Sequence, residues 1–282
     1  MQLCKFRRAG GQVKAGTLSD GRVTPFRLGP TGPVSLSDVL HADDPAGMAK
    51  TLLDTESFPV SDVTLLAPVD HQEVWAAGVT YKRSKVAREA ESAGAARFYD
   101  LVYTAPRPEL FFKAPGQRVA GPGGTVHVRR DSRWSIPEPE FTLVISPKLK
   151  IVGFTIGNDM SSRDIEGENP LYLPQAKFYD NSCSIGPAIT LAADLPPREQ
   201  VTIRLAISRG GKSVFDASTS LAAMARSFEE LVSWLTRENS FPDGALLLTG
   251  TGIVPPDEFA LASGDQILIE IAGIGRLENV VR

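Results

Sequence analysis

From residue 73 onward the sequence is a succession of β-rich segments that do not alternate regularly with helices, and this limits the folds open to it. The segments, separated by Gly and Pro, are EVWAAGV, ELFFKA, TVHVR, FTLVI, IVGFTIGND, VTIRLAIS, SVFDAST, ALLLTGT and QILIEIAGI. Two other segments favour helix: SKVAREAESAGAARFYD, and LVSWLT, which follows a capping box from Ser227 to Glu230. A doubly wound parallel sheet needs regular alternation of strand and helix. We therefore expect an α+β fold built on a curled, mixed or antiparallel sheet.

Residues 1–70 are predicted to form a small α+β unit ahead of this strand-rich part. Short β-like pieces surround Asp20-Gly21, which is a hairpin turn signal. Two short helical stretches follow, SLSDVLHA and DPAGMAKTLLDT. The segment from Pro68 to Gln72 separates them from the next β-rich piece. The sequence therefore predicts a small N-terminal domain, 1–70, and a larger domain, 71–282.

Charge and cysteine content exclude several classes of function. The 282 residues include 30 basic and 33 acidic side chains, and the net charge of −3 gives no basis for binding nucleic acid or a membrane surface. Cys4 and Cys183 are too few for a disulfide framework or a zinc cluster. The start, MQLCKFRRAGG, lacks the apolar core of a signal peptide, and no apolar run reaches the length of a membrane span. We expect a cytoplasmic protein.

Familiar nucleotide-binding and nucleophile motifs are incomplete. GGKS has Ala206 where a P-loop needs glycine, so a hairpin turn explains it better, and GTGIVPP lacks the third glycine of a dinucleotide motif. The three histidines, His41, His71 and His127, are scattered and have no ligand spacing. So few candidates give no basis for a Ser-His or Cys-His nucleophile.

Acidic residues beside apolar segments are the main chemical signal. Glu138 and Glu140 stand two apart at the start of FTLVI, so they should share one face of a strand, where like charges raise each other's pKa. Asp159 ends IVGFTIGND, and Glu109 precedes LFFKA in a similar way. Mg²⁺ prefers such oxygen ligands, and its charge would offset the repulsion. The alternative is that each acid pairs with a nearby Lys or Arg at the surface, and the spacing alone leaves both open.

An ordered set of motifs resembles the fumarylacetoacetate hydrolase superfamily. The set is GVTYKRS, RPELFFKA, EPEFTLVI, GFTIGNDMSSRDIE, AKFYDNSCSIGP, LLLTGTG and LASGDQILIEIAGIG, and it covers residues 73–282. The resemblance implies a rolled, mixed β-sandwich. It also implies a site for Mg²⁺, with Mn²⁺ or Ca²⁺ as alternatives, at Glu138, Glu140 and Asp159. A substrate of the 2-oxo acid class and a homodimer are implied as well.

Further positions match this superfamily unevenly. The resemblance implies that Lys177 takes the place of the family's lysine and Thr251 that of the threonine in its late G-T dipeptide. Arg163 fills the arginine position of the family's SARD segment. Glu166 stands where relatives of the hydrolytic type often carry glutamine.

The segment TYKRSKVARE departs from the hydrolytic members of the superfamily. Those members usually read N-Y-x-x-H-x-x-E, and their His-Glu pair activates water. Here Ser84 stands at the histidine and Ala87 at the glutamate, so the pair is absent. The chain is similar instead to the branch that dehydrates 2-keto-3-deoxypentonates, in which Glu109 matches an additional acidic metal ligand. The resemblance therefore implies formation of 2,5-dioxopentanoate in pentose breakdown.

This dehydration needs a base and an acid near C3 and C4 of the substrate, but no activated water. A metal on the 2-oxo oxygen would stabilise the enolate formed when a C3 proton leaves. Lys177 is expected to act as the base or to stabilise the enolate as a cation, in preference to forming a Schiff base. Ser84 and Glu166 are the other catalytic candidates. Tyr81 and Arg83, with Arg163 and Thr251, are the candidates for binding substrate, although Ser84 by itself would be a helix cap flanked by surface residues.

Two other functions stay open at this point. One is hydrolysis or decarboxylation of a diketo or 2-oxo acid such as an acylpyruvate, with another residue in place of the missing pair. The other is a metal-binding relative without catalytic activity. The missing pair counts against the first, and the intact acids with Lys177 count against the second.

Overall fold

The fold is described by a computed structural model over residues 1–29, 32–81 and 101–282. The strands of this part are β1 (Gln2–Arg8), β2 (Val13–Ser19), β3 (Arg22–Pro25), β4 (Phe58–Pro59), β5 (Val63–Leu66), β6 (Glu73–Gly78), β7 (Glu109–Pro115), β8 (Thr125–Val126), β9 (Ser135–Ile136), β10 (Pro139–Ile145), β11 (Ile151–Asp159), β12 (Ser161–Ser162), β13 (Cys183–Leu191), β14 (Thr202–Arg209), β15 (Lys212–Ser220), β16 (Ala245–Leu248), β17 (Gln266–Ile271) and β18 (Gly275–Val281). The α-helices are α1 (Leu36–Leu40), α2 (Pro45–Leu52), α3 (Arg163–Glu168), α4 (Leu173–Lys177) and α5 (Phe228–Leu235). None of the helices in these three ranges is long and apolar enough to cross a membrane.

Strands from both parts of the chain form one large mixed sheet. Its order is β4-β3-β2-β1-β13-β11-β10-β16-β6-β7, with β5 pairing beside β1. The N-terminal strands join it through β1, which is antiparallel to β13, whereas β6 and β16 are parallel. Every residue of β10 is buried, because this strand lies inside the sheet and is covered on both faces.

A smaller sheet, β15-β14-β17-β18-β8, packs on the large one and encloses the main core. Phe141 of β10 and Phe154 of β11 share one buried cluster with Leu205 of β14 and Ile269 of β17. Helix α5 closes the cluster, since the ring of Phe228 stacks on Phe141 with centroids 5.3 Å apart. Burying each such side chain contributes about 1.5–3 kcal/mol. The predicted α+β fold with a rolled, mixed β-sandwich is confirmed.

The turn and the helix cap predicted from short sequence motifs are present in the structure. Asp20 and Gly21 form the β2–β3 turn with φ of 50° and 70°, the left-handed values that such a turn requires. Ser227 caps α5, because its Oγ accepts the amide hydrogen of Glu230 at 3.1 Å. The Glu230 side chain pairs with Arg226. The predicted helix over 84–100 lies outside the described residues.

Two long strands are not predicted from the sequence. β13 contains Gly186-Pro187, and a proline normally argues against a central strand because it cannot donate a ladder hydrogen bond. β18 alternates buried and exposed positions, and its charged residues obscure the short apolar set. Both strands have a paired strand on each side. β13 is placed by pairing with β1 and β11, and β18 by pairing with β17 and with the distant β8, rather than by local composition.

Candidate metal centre

The start of β10 and the end of β11 bring three carboxylates together. Glu138 and Asp159 are paired across the strands, with each amide donating to the other residue's carbonyl at 3.2 Å and 3.0 Å. Glu140 lies two residues after Glu138, so both side chains point to one face. One carboxylate oxygen from each of the three residues lies within 4.8 Å of the others. Three of the four acids singled out from the sequence therefore converge, and these three are almost fully buried.

Three buried basic side chains compensate these carboxylates. Lys177 Nζ lies 2.6 Å from Glu138 Oε2 and 3.1 Å from Asp159 Oδ2. Arg163 Nη2 lies 2.8 Å from Glu138 Oε1, and Lys113 Nζ lies 2.5 Å from Asp159 Oδ1. The sequence offered a metal or surface ion pairs as alternatives. The ion pairs exist, but they are buried and converge on the same cluster.

Glu140 is held by the backbone. The amide of Gly250 donates to Glu140 Oε2 at 2.6 Å. Burial raises the pKa of Glu140 well above its ordinary value, and the charges of Asp159 and Glu138 raise it further, against the opposing effects of Lys177 and the Gly250 amide. A divalent cation among these oxygens would favour the charged form. Three close carboxylates are the hard donors that Mg²⁺ takes, so the residues fit this ion.

The carboxylate cluster lines a narrow cleft between strands. Backbone at 77–79 and at 250–251 forms part of its wall, together with the ring of Phe111. Thr251 also lines this cleft, and its Oγ1 is engaged with the backbone N and O of Ile253, both at 3.2 Å. Its role in binding substrate stays a prediction.

Glu109 reaches the edge of the cleft. It begins β7, opposite Gly78 of β6. Its carboxylate packs over Gly78, since a β-carbon on that glycine would lie 1.9 Å from Glu109 Oε2. Gly78 lines the cleft, but the oxygen cluster within 4.8 Å consists of the other three acids. A role for Glu109 as an additional ligand stays a prediction.

The remaining predicted site residues are distributed around this cluster. Glu166 is buried in α3, one turn after Arg163, and accepts a hydrogen bond from Ser161 Oγ at 2.9 Å. Tyr81 is buried against Gly252, and burial, followed by the charge of Glu140, raises the pKa of its hydroxyl. Their functional roles stay predictions. The two candidates Arg83 and Ser84 lie outside the described residues.

Lys113 is the residue that the sequence reasoning missed. It is completely buried and contacts Asp159 directly. A usable signal was present, because Lys113 follows Glu109 by four positions in a predicted strand and should therefore share its face. A lysine inside the apolar run LFFKA also needs a buried partner.

Comparison with known proteins gives the class to which this fold and site belong. Residues 73–282 match the family described as "Fumarylacetoacetate (FAA) hydrolase C-terminal". The chain belongs to this family, as the resemblance in its motifs predicts.

Particular relatives narrow the comparison further. The chain is 47% identical over 247 residues to the "Probable 2-keto-3-deoxyxylonate dehydratase" of Haloferax volcanii, covering 84% of this chain and 85% of the relative. It is 40% identical over 230 residues to the "2-dehydro-3-deoxy-D-arabinonate dehydratase" of Saccharolobus solfataricus, covering 80% of this chain and 77% of the relative. A solved structure, "2-keto-3-deoxy-D-arabinonate dehydratase complexed with magnesium and 2,5-dioxopentanoate", is similar with a TM-score of 0.84 and 32% identity, covering 100% of this chain and 99% of that one.

Proposed function

We propose that this protein is a Mg²⁺-dependent dehydratase that converts a 2-keto-3-deoxypentonate, such as 2-dehydro-3-deoxy-D-arabinonate, to 2,5-dioxopentanoate. The observation that carries the proposal is the buried cluster of Glu138, Glu140 and Asp159 with the Lys177 ammonium against it. The named dehydratases and the neighbour with magnesium and 2,5-dioxopentanoate support the substrate class. Ser84, at the position of the water-activating histidine, supports dehydration over hydrolysis.

The chain's own residues supply the binding and proton-transfer steps of this reaction. Glu138, Glu140 and Asp159 would hold the ion, with Glu109 as an additional ligand. Mg²⁺ bound there would act as a Lewis acid that polarises the 2-oxo group of the substrate. Lys177 would take the C3 proton or stabilise the negative charge that develops as it leaves. The C4 hydroxyl then leaves with a proton as water, and tautomerisation gives the aldehyde.

Substrate contacts and the acid that assists the leaving hydroxyl are assigned to the residues around the cleft. Thr251 lines the cleft, and Arg163 places a permanent positive charge beside Glu138, which suits a substrate carboxylate. Glu166 and Ser84 are the candidates for proton transfer at C4. Tyr81 and Arg83 complete the proposed contacts to the carboxylate and hydroxyl groups.

Product analysis tests this proposal. Purified enzyme with Mg²⁺ should convert a 2-keto-3-deoxypentonate to a product lighter by one water, with the carbon chain intact, as read by mass spectrometry. EDTA should abolish the conversion and added Mg²⁺ should restore it. Efficient release of pyruvate from an acylpyruvate, with the deoxypentonate untouched, would replace dehydration by hydrolysis. Full turnover by metal-free enzyme would show that the reaction does not depend on a metal.

The cellular setting and assembly are part of the same proposal. A cytoplasmic homodimer is expected, and burial raises the pKa of the Cys4 and Cys183 thiols to about 12, which suits two inert thiols in a reducing compartment. The division at residue 70 is proposed as the domain boundary. Light scattering of the purified chain would decide the oligomeric state.

A further inference from the structure

Lys113 is buried at a position where a lysine needs full compensation. It lies in β7 and none of its surface is exposed. Lysine is almost never fully buried unless it is paired. Its Nζ lies 2.5 Å from Asp159 Oδ1, 2.9 Å from the carbonyl oxygen of Met160 and 2.5 Å from the carbonyl oxygen of Lys177. An ammonium has three hydrogens to donate, and these three acceptors account for all of them.

The acceptors of Lys113 belong to the two segments that form the proposed centre. Asp159 and Met160 lie where β11 ends, and Lys177 is the last residue of α4. The final carbonyls of a helix lack partners within the helix, and a cation is a favourable partner for them. Lys113 therefore joins the end of β11 to the end of α4 through a single atom.

This junction determines how Asp159 and Lys177 meet. With Asp159 Oδ1 directed to Lys113, the other oxygen, Oδ2, lies 3.1 Å from Lys177 Nζ. With the Lys177 carbonyl fixed, its side chain crosses over the ring of Phe111, whose centroid lies 5.7 Å from Nζ. The pairing of β7 with β6 shifts register at Lys113, which therefore lies at a bulge of the strand. Strand β7 nevertheless supports the centre at three positions, because Glu109 packs over Gly78 at the cleft, Phe111 lines the cleft and Lys113 contacts Asp159.

We infer that Lys113 is a positioning residue for the metal centre: it orients the Asp159 carboxylate and anchors the backbone of Lys177. The inference rests on the proposed metal centre, but not on which 2-oxo acid is the substrate. Loss of hydrogen-bond partners that orient a ligand typically costs 10- to 100-fold in metal affinity or activity. If Lys113 affected the centre only through its charge, removing that charge would strengthen the binding of a metal cation. If Lys113 orients the ligands, its removal would weaken metal binding. The two effects therefore predict opposite changes in metal affinity.

Mn²⁺ binding to the full-length Lys113→Met variant separates these effects. Electron paramagnetic resonance gives both the affinity of the metal-free protein for Mn²⁺ and the spectrum of the bound ion. The matched control is Lys5→Met, since Lys5 Nζ also donates to an aspartate, Asp70 Oδ1 at 2.6 Å, and to a carbonyl, that of Val69 at 2.7 Å. Both variants should lose thermal stability. Only Lys113→Met should bind Mn²⁺ about tenfold or more weakly, with an altered bound-ion spectrum.

A second variant, Lys113→Gln, keeps donors without the charge and should bind Mn²⁺ with an affinity between those of Lys113→Met and the wild type. Wild-type or tighter Mn²⁺ binding by Lys113→Met, with an unchanged spectrum, would overturn the inference. Failure of both Lys113→Met and Lys113→Gln to fold would show that Lys113 is needed for the fold as a whole, and this would also overturn the inference. If the wild type binds no Mn²⁺, the proposal of a metal centre is itself wrong. If it binds Mn²⁺ but does not dehydrate the deoxypentonate, only the reaction assignment fails.

Discussion

Replacing Lys177 by methionine tests the charge balance of the centre and the chemistry together. The change keeps most of the side-chain volume and removes the ammonium that contacts Glu138 at 2.6 Å and Asp159 at 3.1 Å. Breaking a buried ion pair from one side typically costs about 3–5 kcal/mol, because a charge is left buried without compensation. Glu138 keeps Arg163 and Asp159 keeps Lys113, so we expect the lower end, about 3 kcal/mol.

This loss should depend on metal. At about 2–4 °C per kcal/mol for chains of this size, the melting temperature of metal-free Lys177→Met should fall by roughly 6–12 °C. Saturating Mg²⁺ should recover much of the difference, since a divalent cation among the same oxygens replaces the missing charge. In the Mg²⁺-loaded variant kcat should fall about 10²- to 10⁴-fold, the usual contribution of a positioned proton-transfer group.

The assays are thermal denaturation with and without Mg²⁺ and steady-state kinetics on the deoxypentonate. Lys148→Met is the control, because Lys148 forms an exposed pair with Asp43 at 2.6 Å and its loss should change little. A Lys177→Met enzyme that folds, binds Mg²⁺ and keeps near wild-type kcat would refute the reasoning and leave Lys177 as a structural partner of the carboxylates.

Two other predictions concern the support of the site and its connection to the N-terminal strands. Gly250→Ala should lower the free energy of unfolding by about 1–3 kcal/mol, because Gly250 has φ of +91° and an added β-carbon would lie 2.1 Å from Thr80 Oγ1. The variant should also bind Mg²⁺ more weakly, because the clash would displace the Gly250 amide that holds Glu140. Mg²⁺ titration would check this, and an affinity equal to the wild type would contradict it. Burial opposes ionisation of Asp70, but hydrogen bonds from Lys5 and Ser37 outweigh it and lower its pKa. The ionised Asp70 therefore stabilises the fold above its unfolded-state pKa, and this effect is lost as pH falls through its folded-state pKa. The difference in melting temperature between the wild type and Asp70→Asn should shrink between about pH 5 and pH 2. A difference that stays constant over this range would contradict the lowered pKa of Asp70.

The sequence by itself predicted the class of fold and the acids of the candidate metal centre. Strand-forming runs without helix alternation predict a sheet-dominated α+β fold, because that information lies in neighbouring residues. The spacing of Glu138 and Glu140 likewise predicts a shared face, since strand periodicity is local. Family motifs then joined Asp159 and Lys177 to the same site. Each of these inferences needs only a short segment of sequence, or the order in which several such motifs follow one another along the chain.

Only the tertiary structure decided how the charges are balanced. Lys177 meets Glu138 from 39 residues away, Lys113 lies 46 residues before Asp159, and the Gly250 amide reaches Glu140 across 110 residues. No local pattern encodes such contacts, because they depend on strand pairing and on where helix α4, which contains Lys177, ends. Burial is equally a property of the packed sheets. The carboxylates are at a buried centre rather than at a surface because β10 lies between β11 and β16.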